Sequence, residues 1–238
     1  MSDFRCYAPD LDHTKLELNL SPFESHHLVV TNRARKGDSV VCFNGNGEEW
    51  DSVLQVADRR QSVLAREQLR QVEKPSRRIT LAVAIIKGKT FDSILRQATE
   101  LGVTTIQPLM TERTQVQWKD RSGKLDKWQQ QLVEGCKQSG NPWLPELQSP
   151  QDLIKYLETT KIASAVVASL EENSKKWSDL SLEAEATIFI GPEGDFSPDE
   201  YQLLSEKGAE HVSLGPYVLR SETAAVAAIS QLSQIMSE

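Results

Sequence analysis

Residues 79–109 read ITLAVAIIKGKTFDSILRQATELGVTTIQPL, and the spacing of their apolar positions decides the fold class. Residues 79–86 are a near-continuous apolar run, the pattern of a strand covered on both faces. Phe91, Ile94, Leu95, Ala98 and Leu101 then recur at helical spacing, and Gly102 supplies a C-terminal cap. Residues 103–109 read as a second strand, which completes a βαβ unit. Further along, the pattern predicts a helix over 126–138, with Trp128, Leu132 and Cys136 on one face. Strands follow over 162–168 and 186–190. Ser197-Pro198-Asp199-Glu200 opens a helix with an N-cap, a proline at its first position and an acid beyond, and Gly208 closes it. A strand over 211–214 and an alanine-rich helix over 224–236 end the chain. Alternating strands and helices imply an α/β fold, a parallel sheet with helices on both faces.

Upstream the regime differs. Residues 71–78 are polar, carry Pro75, and separate the two patterns. Before them, strands over 39–43 and 50–56 flank Asn44-Gly45-Asn46-Gly47, a hairpin turn cluster. Residues 62–69 read as a further strand and 22–33 as a short helix. The expected organisation is a β-rich, barrel-like domain over 1–74 and an α/β domain over 75–238.

Composition narrows the classes. The 238 residues are 39% hydrophobic and 26% charged, as in globular chains, which excludes disordered, collagenous and small disulfide-stapled proteins. The longest apolar stretches, 81–86 and 163–168, are far shorter than the ~20 residues of a membrane helix. The opening Met1-Ser2-Asp3-Phe4-Arg5 lacks the apolar region of a secretion signal. Cys6, Cys42 and Cys136 are odd in number and scattered, which suits free thiols in a reducing cytoplasm. The net charge is −7, unevenly spread: residues 1–78 hold 12 basic and 12 acidic side chains, and 151–238 hold 6 and 15. A nucleic-acid face on the earlier part of the chain stays open.

Ligands of open parallel sheets collect beyond the carboxyl ends of the strands. Three such loops stand out: Ser169-Leu170-Glu171, Gly191-Pro192-Glu193-Gly194-Asp195-Phe196, and the segment from Gly215 to Thr223. Two of them open with Gly-Pro, a stiff turn that leaves backbone groups accessible. Familiar alternatives fail. Lys87-Gly88-Lys89-Thr90 follows a strand, but Val83 stands where a phosphate-binding loop needs its first glycine. No Gly-x-Gly-x-x-Gly opens a helix, no Gly-x-Ser-x-Gly presents a nucleophile, and His26-His27 has no partner set for a metal.

The loop Ile190-Gly-Pro-Glu-Gly-Asp-Phe-Ser197 and the segment Leu214-Gly-Pro-Tyr-Val-Leu-Arg-Ser-Glu-Thr-Ala224 resemble the cofactor loops of the RsmE family of the SPOUT superfamily. Thr99-Glu-Leu-Gly-Val103, Glu112-Arg113, Gln138-Ser139-Gly140 with Pro145, and His27-Leu28 with Arg33 and Gly37 extend the resemblance over essentially the whole chain. It implies a PUA-like, RNA-binding β-barrel followed by a SPOUT domain with a deep trefoil knot. It further implies a homodimer that binds S-adenosylmethionine and methylates uridine N3 in 16S ribosomal RNA, within the 30S subunit. The chain departs from the family pattern at Gly194-Asp195, Tyr217, Asn141, the segment Gly135-Cys136-Lys137-Gln138 and Thr31-Asn32.

Under this resemblance the cofactor contacts are expected from Ser169, Leu170, Gly191, Pro192, Glu193 and Gly194 on two loops. Leu214, Gly215, Leu219, Arg220, Thr223 and Ala224 complete them. Uridine N3 carries a proton, so the reaction needs an acceptor and a cation to steady the uracil carbonyls. Arg220 is the candidate cation; Glu193 and Glu222 are candidate acceptors. Arg5, Arg33, Arg35, Lys87, Lys89 and Arg113 are the cations expected to be exposed toward RNA phosphates. The small residues of the last helix would let a second copy approach closely. Two alternatives remain: a SPOUT enzyme acting on another RNA such as tRNA, and a non-catalytic ribosome-assembly factor.

Overall fold

A computed structural model describes residues 4–116, 118, 123–170 and 174–237. The chain separates into two compact units. The first joins Met1–Lys74 to Cys136–Leu144, and the second joins Pro75–Gly135 to Pro145–Glu238. Residues 136–144, which the sequence pattern groups with everything after position 74, thus pack with the first unit.

In the first unit, β1 (Phe4–Tyr7), β2 (Glu17–Asn19), β3 (Ser39–Phe43), β4 (Glu48–Val56) and β5 (Val63–Gln71) form one sheet in the order β1-β3-β4-β5-β2. Only β1 and β3 run parallel. Asn44 makes the hairpin turn local, its Oδ1 accepting the N–H groups of Asn46 (2.8 Å) and Glu48 (3.2 Å). Val40, Cys42, Trp50, Leu54 and Leu64 alternate inward and are fully buried. The helix expected over 22–33 is two pieces. Pro22–His26 (α1) is capped by Ser21, and His27–Thr31 continues as a π-turn. Residues 136–144 lie along the hairpin: Leu144 N–H donates to Gly45 O (2.9 Å) and Gly47 N–H to Pro142 O (3.2 Å). Trp143 sits against Gly47 so closely that a Cβ there would lie 2.3 Å from the indole, and its Nε1–H donates to Glu73 O at 3.1 Å.

The second unit contains β6 (Arg78–Ala84), α2 (Lys89–Glu100), β7 (Thr105–Met110), α3 (Lys124–Ser139, its last turn in the first unit), β8 (Glu146–Leu147), β9 (Gln151–Asp152) and α4 (Leu153–Thr159). β10 (Ser164–Ala168), β11 (Glu185–Ile190), α5 (Pro198–Glu206), β12 (Glu210–Val212) and α6 (Ser221–Ser237) complete it. The strands pair in parallel in the order β12-β10-β11-β6-β7-β8, and β9 extends the pairing of β7. Ala82, Leu109, Val167 and Phe189 bury against α4 and α5. α2 and α6 pack together on the central strands β6 and β11. The apolar run at β6 is covered on both sides, with Leu81, Ala82, Val83 and Ala84 all fully buried. Helix α4 lies outside the sequence reading; Asp152 caps it through Ile154 N–H (2.9 Å) and Lys155 N–H (3.3 Å).

Candidate functional site

The sheet order puts the carboxyl ends of β12, β10 and β11 side by side, so three loops distant in sequence converge. They enclose a cavity of about 460 Å³, within the ~300–1,000 Å³ range of small-molecule sites. Of the residues expected to contact a cofactor, Ser169, Leu170, Gly191, Pro192, Glu193, Leu214, Gly215, Leu219, Arg220 and Ala224 line it, and so does Glu222. Gly194 and Thr223 do not. The Gly194 carbonyl is turned to Arg113 Nη1 at 2.7 Å, and Thr223 points outward from the first turn of α6. Glu171 lies outside the described residues.

The second loop is braced from beneath. Glu200, buried, accepts Ser197 N–H (2.9 Å) through one carboxylate oxygen and Glu112 N–H (2.8 Å) through the other. With the Ser197 side chain accepting Glu200 N–H, this is the expected capping box, extended to the loop after β7. Asp195 holds a left-handed φ of 62°, unusual for a residue with a side chain. Its Oδ1 accepts Phe196 N–H (2.9 Å) and Tyr201 O–H (2.8 Å), which offsets the cost of that backbone. A Cβ on Gly191 would come within 3.0 Å of this oxygen and 3.1 Å of Phe196 N, so the loop folds directly over a glycine.

Three of the four charged groups on the cavity wall are unengaged within the described residues; the fourth, Asp195, is tied to Phe196 and Tyr201. Among the described residues, the side chains of Arg220, Glu193 and Glu222 have no hydrogen-bond or ion-pair partner, and Arg220 is exposed. Apolar groups sit at the mouth: Leu170, Tyr217 and Val218 are 59%, 79% and 78% exposed. The set supplies an apolar slot, backbone polar groups from two Gly-Pro loops, one free guanidinium and two free carboxylates. No cluster of metal-ligating side chains occurs among the described residues.

Sequence reasoning missed Thr90, Ala168 and Ile190 on the cavity wall; Asp195, Tyr217, Val218 and Ser221, which also line it, lie on the two Gly-Pro loops that the sequence singles out. Ala168 and Ile190 are simply the last residues of β10 and β11. Thr90 follows β6, the neighbour of β11. Its loop does not read as a phosphate loop, yet a strand end adjacent to the other three was signal enough.

The cations that the sequence reading turns toward RNA divide. Arg5 is not exposed: its guanidinium meets the buried Glu49 at 2.6 Å, drawn inside by the need to pair that carboxylate. Arg113 is exposed, but its Nη1 is occupied by the carbonyls of Gly194 and Phe196 (3.3 Å). Arg33, Arg35, Lys87 and Lys89 are exposed, with Lys87 3.0 Å from Gln115 Oε1.

Comparison with known proteins bears on this geometry. Residues 72–233 match the family model of an RNA methyltransferase domain, and 24–65 match that of an RNA methyltransferase PUA domain. Ribosomal RNA small subunit methyltransferase E of Rickettsia conorii is 34% identical, over 93% of this chain and 90% of the relative. Its Synechocystis counterpart is 31% identical, over 92% and 73%. The chain belongs to the ribosomal RNA small subunit methyltransferase E family. Two solved methyltransferases share the fold over nearly the full length. A methyltransferase of Legionella pneumophila, determined with bound cofactor SAM, is 32% identical with a TM-score of 0.90, covering 98% of this chain and 97% of that one. The family enzyme of Neisseria gonorrhoeae, bound to S-adenosyl methionine, is 26% identical with a TM-score of 0.88, covering 97% of each chain. As a family member the chain is an RNA methyltransferase of the PUA and SPOUT architecture.

Proposed function

We propose that this chain uses S-adenosylmethionine to methylate N3 of a uridine in 16S ribosomal RNA. One observation carries the reading: a small-molecule cavity at three adjacent strand ends has an arginine on its wall with no partner among the described residues, and two similar solved methyltransferases hold S-adenosylmethionine. The residues fit that cofactor. Leu170, Val218 and Leu219 offer an apolar wall for an adenine, and the cavity-lining loops 191–193 and 214–219 offer backbone polar partners. When bound, the cofactor supplies an electrophilic methyl group on a sulfonium. The protein's own work is to hold the uracil edge against it, and alignment of this kind is worth ~7–11 kcal/mol. Arg220 donates to the uracil carbonyls as negative charge develops, and Glu193 or Glu222 takes the N3 proton. The uridine must be unpaired or turned out of its stack to present that edge. Arg33, Arg35, Lys87 and Lys89 are the remaining cations for phosphate contacts. The reading includes a homodimer, a knotted course through the two cavity loops, and a first unit that carries the RNA within the 30S particle.

Mass spectrometry of nucleosides tests it, after incubating the protein and S-adenosylmethionine with unmodified 16S rRNA, 30S particles and tRNA separately. The expected product is N3-methyluridine from 16S rRNA or 30S. Methylation of tRNA alone would move the assignment to another RNA. Cofactor binding by calorimetry without any product would favour an assembly role.

A further inference from the structure

The first unit carries a feature that the cofactor cavity does not use. Phe23 is 58% exposed on α1, although it is a large apolar side chain with a core close by. Its ring stacks on that of His27, with centroids 6.4 Å apart and planes 22° from parallel. His27 opens the π-turn, a rare backbone form found often at functional sites. The pair is held from behind. Lys137 Nζ lies 6.0 Å from the Phe23 ring centre and 3.4 Å from His27 Nδ1. It is ion-paired at 2.7 Å to Glu24, and both side chains are at most 7% exposed. The other Glu24 oxygen accepts Tyr7 N–H at 3.3 Å. The buried carboxylate is therefore spent internally and places no negative charge on the outer face. Along the chain from this pair, His26 and Val30 are exposed, and so are Arg33, Arg35 and Lys36, which have no ion-pair partner among the described residues. The single acid there, Asp38, is turned back to Arg35 N–H at 2.7 Å.

An exposed aromatic ring, backed by a stacked imidazole and followed within 13 residues by these three exposed cations, complements an unpaired nucleotide: the π-face for a base, the cations for flanking phosphates. We infer that the Phe23–His27 pair is a stacking platform for one unpaired base of the RNA substrate, with Arg33, Arg35 and Lys36 holding the adjoining backbone. This deepens the proposed function and rests on its RNA substrate.

The test uses the full-length protein and a fluorescein-labelled single-stranded 12-nucleotide RNA, read by anisotropy. A second copy of that RNA carries 2-aminopurine, whose emission is quenched by stacking. Phe23→Ala is expected to weaken binding roughly ten- to a hundredfold and to abolish the quench, the scale of losing one base–aromatic stack. Phe23→Tyr should restore both. Leu16→Ala, at another exposed apolar position of the same unit (67%), should change neither. Unchanged binding and quench in Phe23→Ala overturn the platform, as does a loss that Tyr fails to rescue. Weakened binding to 30S particles with normal binding to bare RNA would mean that this face meets a ribosomal protein, which also overturns it. Failure of the wild type to bind S-adenosylmethionine or to methylate, with the quench intact, would sink the proposed function and leave the platform standing.

Discussion

Arg220, in the loop before α6, has no partner among the described residues, which separates a catalytic role from a bracing one. A brace would be tied down already. Arg220→Ala should therefore keep its melting temperature and cofactor affinity while its single-turnover methylation rate falls by ~10²-fold or more. Lys at this position should recover only part of that rate, because a point charge does not reproduce a planar two-donor fork. A rate loss that merely follows weakened cofactor binding would remove Arg220 from the chemistry. Gly191 makes the opposite kind of prediction. A methyl there meets Asp195 Oδ1 and Phe196 N at 3.0 and 3.1 Å, so the loop itself must shift. Gly191→Ala should lower S-adenosylmethionine affinity by roughly tenfold, a strain of 1–2 kcal/mol at a bound loop, measured by calorimetry. Gly191 was legible in sequence as half of a Gly-Pro turn. Asp195 was visible there as a member of the second ligand loop and as a departure from the family pattern, but its brace was not, because its φ of 62° and its bond to Tyr201 depend on α5 lying alongside.

Among the elements, those with long single-period patterns were readable and those defined by partners were not. β6, α2 and β11 appear in the sequence within a residue or two of their observed ends, since burial on both faces writes a continuous apolar run. β8 and β9, two residues each, exist only because β7 offers them an edge. The π-turn follows α1 without a break in hydrophobic spacing, so a single longer helix was the natural reading. Helix α6 shows how burial changes an inference drawn from composition. Its alanines suggest a close approach by a second copy, but Ala225 and Ala228 are already buried within one chain. A charge at Ala228 would therefore test folding. Ala227 is only half-buried and is the better probe of the proposed dimer. Ala227→Glu should shift the protein from dimer toward monomer in light scattering at micromolar concentration, with its helical circular dichroism unchanged. A wild type that is itself monomeric there would end the dimer proposal.

For the molecule as a whole, buried thiols set an alkaline limit. Burial pushes the Cys136 thiol up to about 12 from 9.0, and Tyr7 and Cys42 are raised as well, Tyr7 chiefly by burial and Cys42 chiefly by its hydrogen bond with Cys6. The folded chain holds these protons more tightly than the unfolded chain does. Stability from the neutral thiol is therefore complete below about pH 9 and declines as pH rises toward 12. Melting temperature should drop by about 5 °C between pH 9 and 10.5, and Cys136→Ala should flatten part of that slope. A flat profile in the wild type would contradict the burial. Whole-chain organisation was only half legible. The linker near Pro75 stands out by composition, whereas nothing local in residues 136–144 announces that they complete the first unit. Their role is written in Gly45 and Gly47, whose missing side chains leave room for Leu144 and Trp143.

That arrangement has a consequence in time. A ribosome synthesising this chain releases the first 74 residues with the flank of the β3–β4 hairpin bare, because the strip that covers it ends at Leu144. At ~5–20 residues per second the nascent first unit waits roughly 4–14 s for its own missing piece. Throughout that interval Glu24 is made without Lys137, its ion-pair partner in the finished fold. The order of synthesis thus delays completion of the proposed RNA-binding unit until all of α3 and the residues up to Leu144 have emerged.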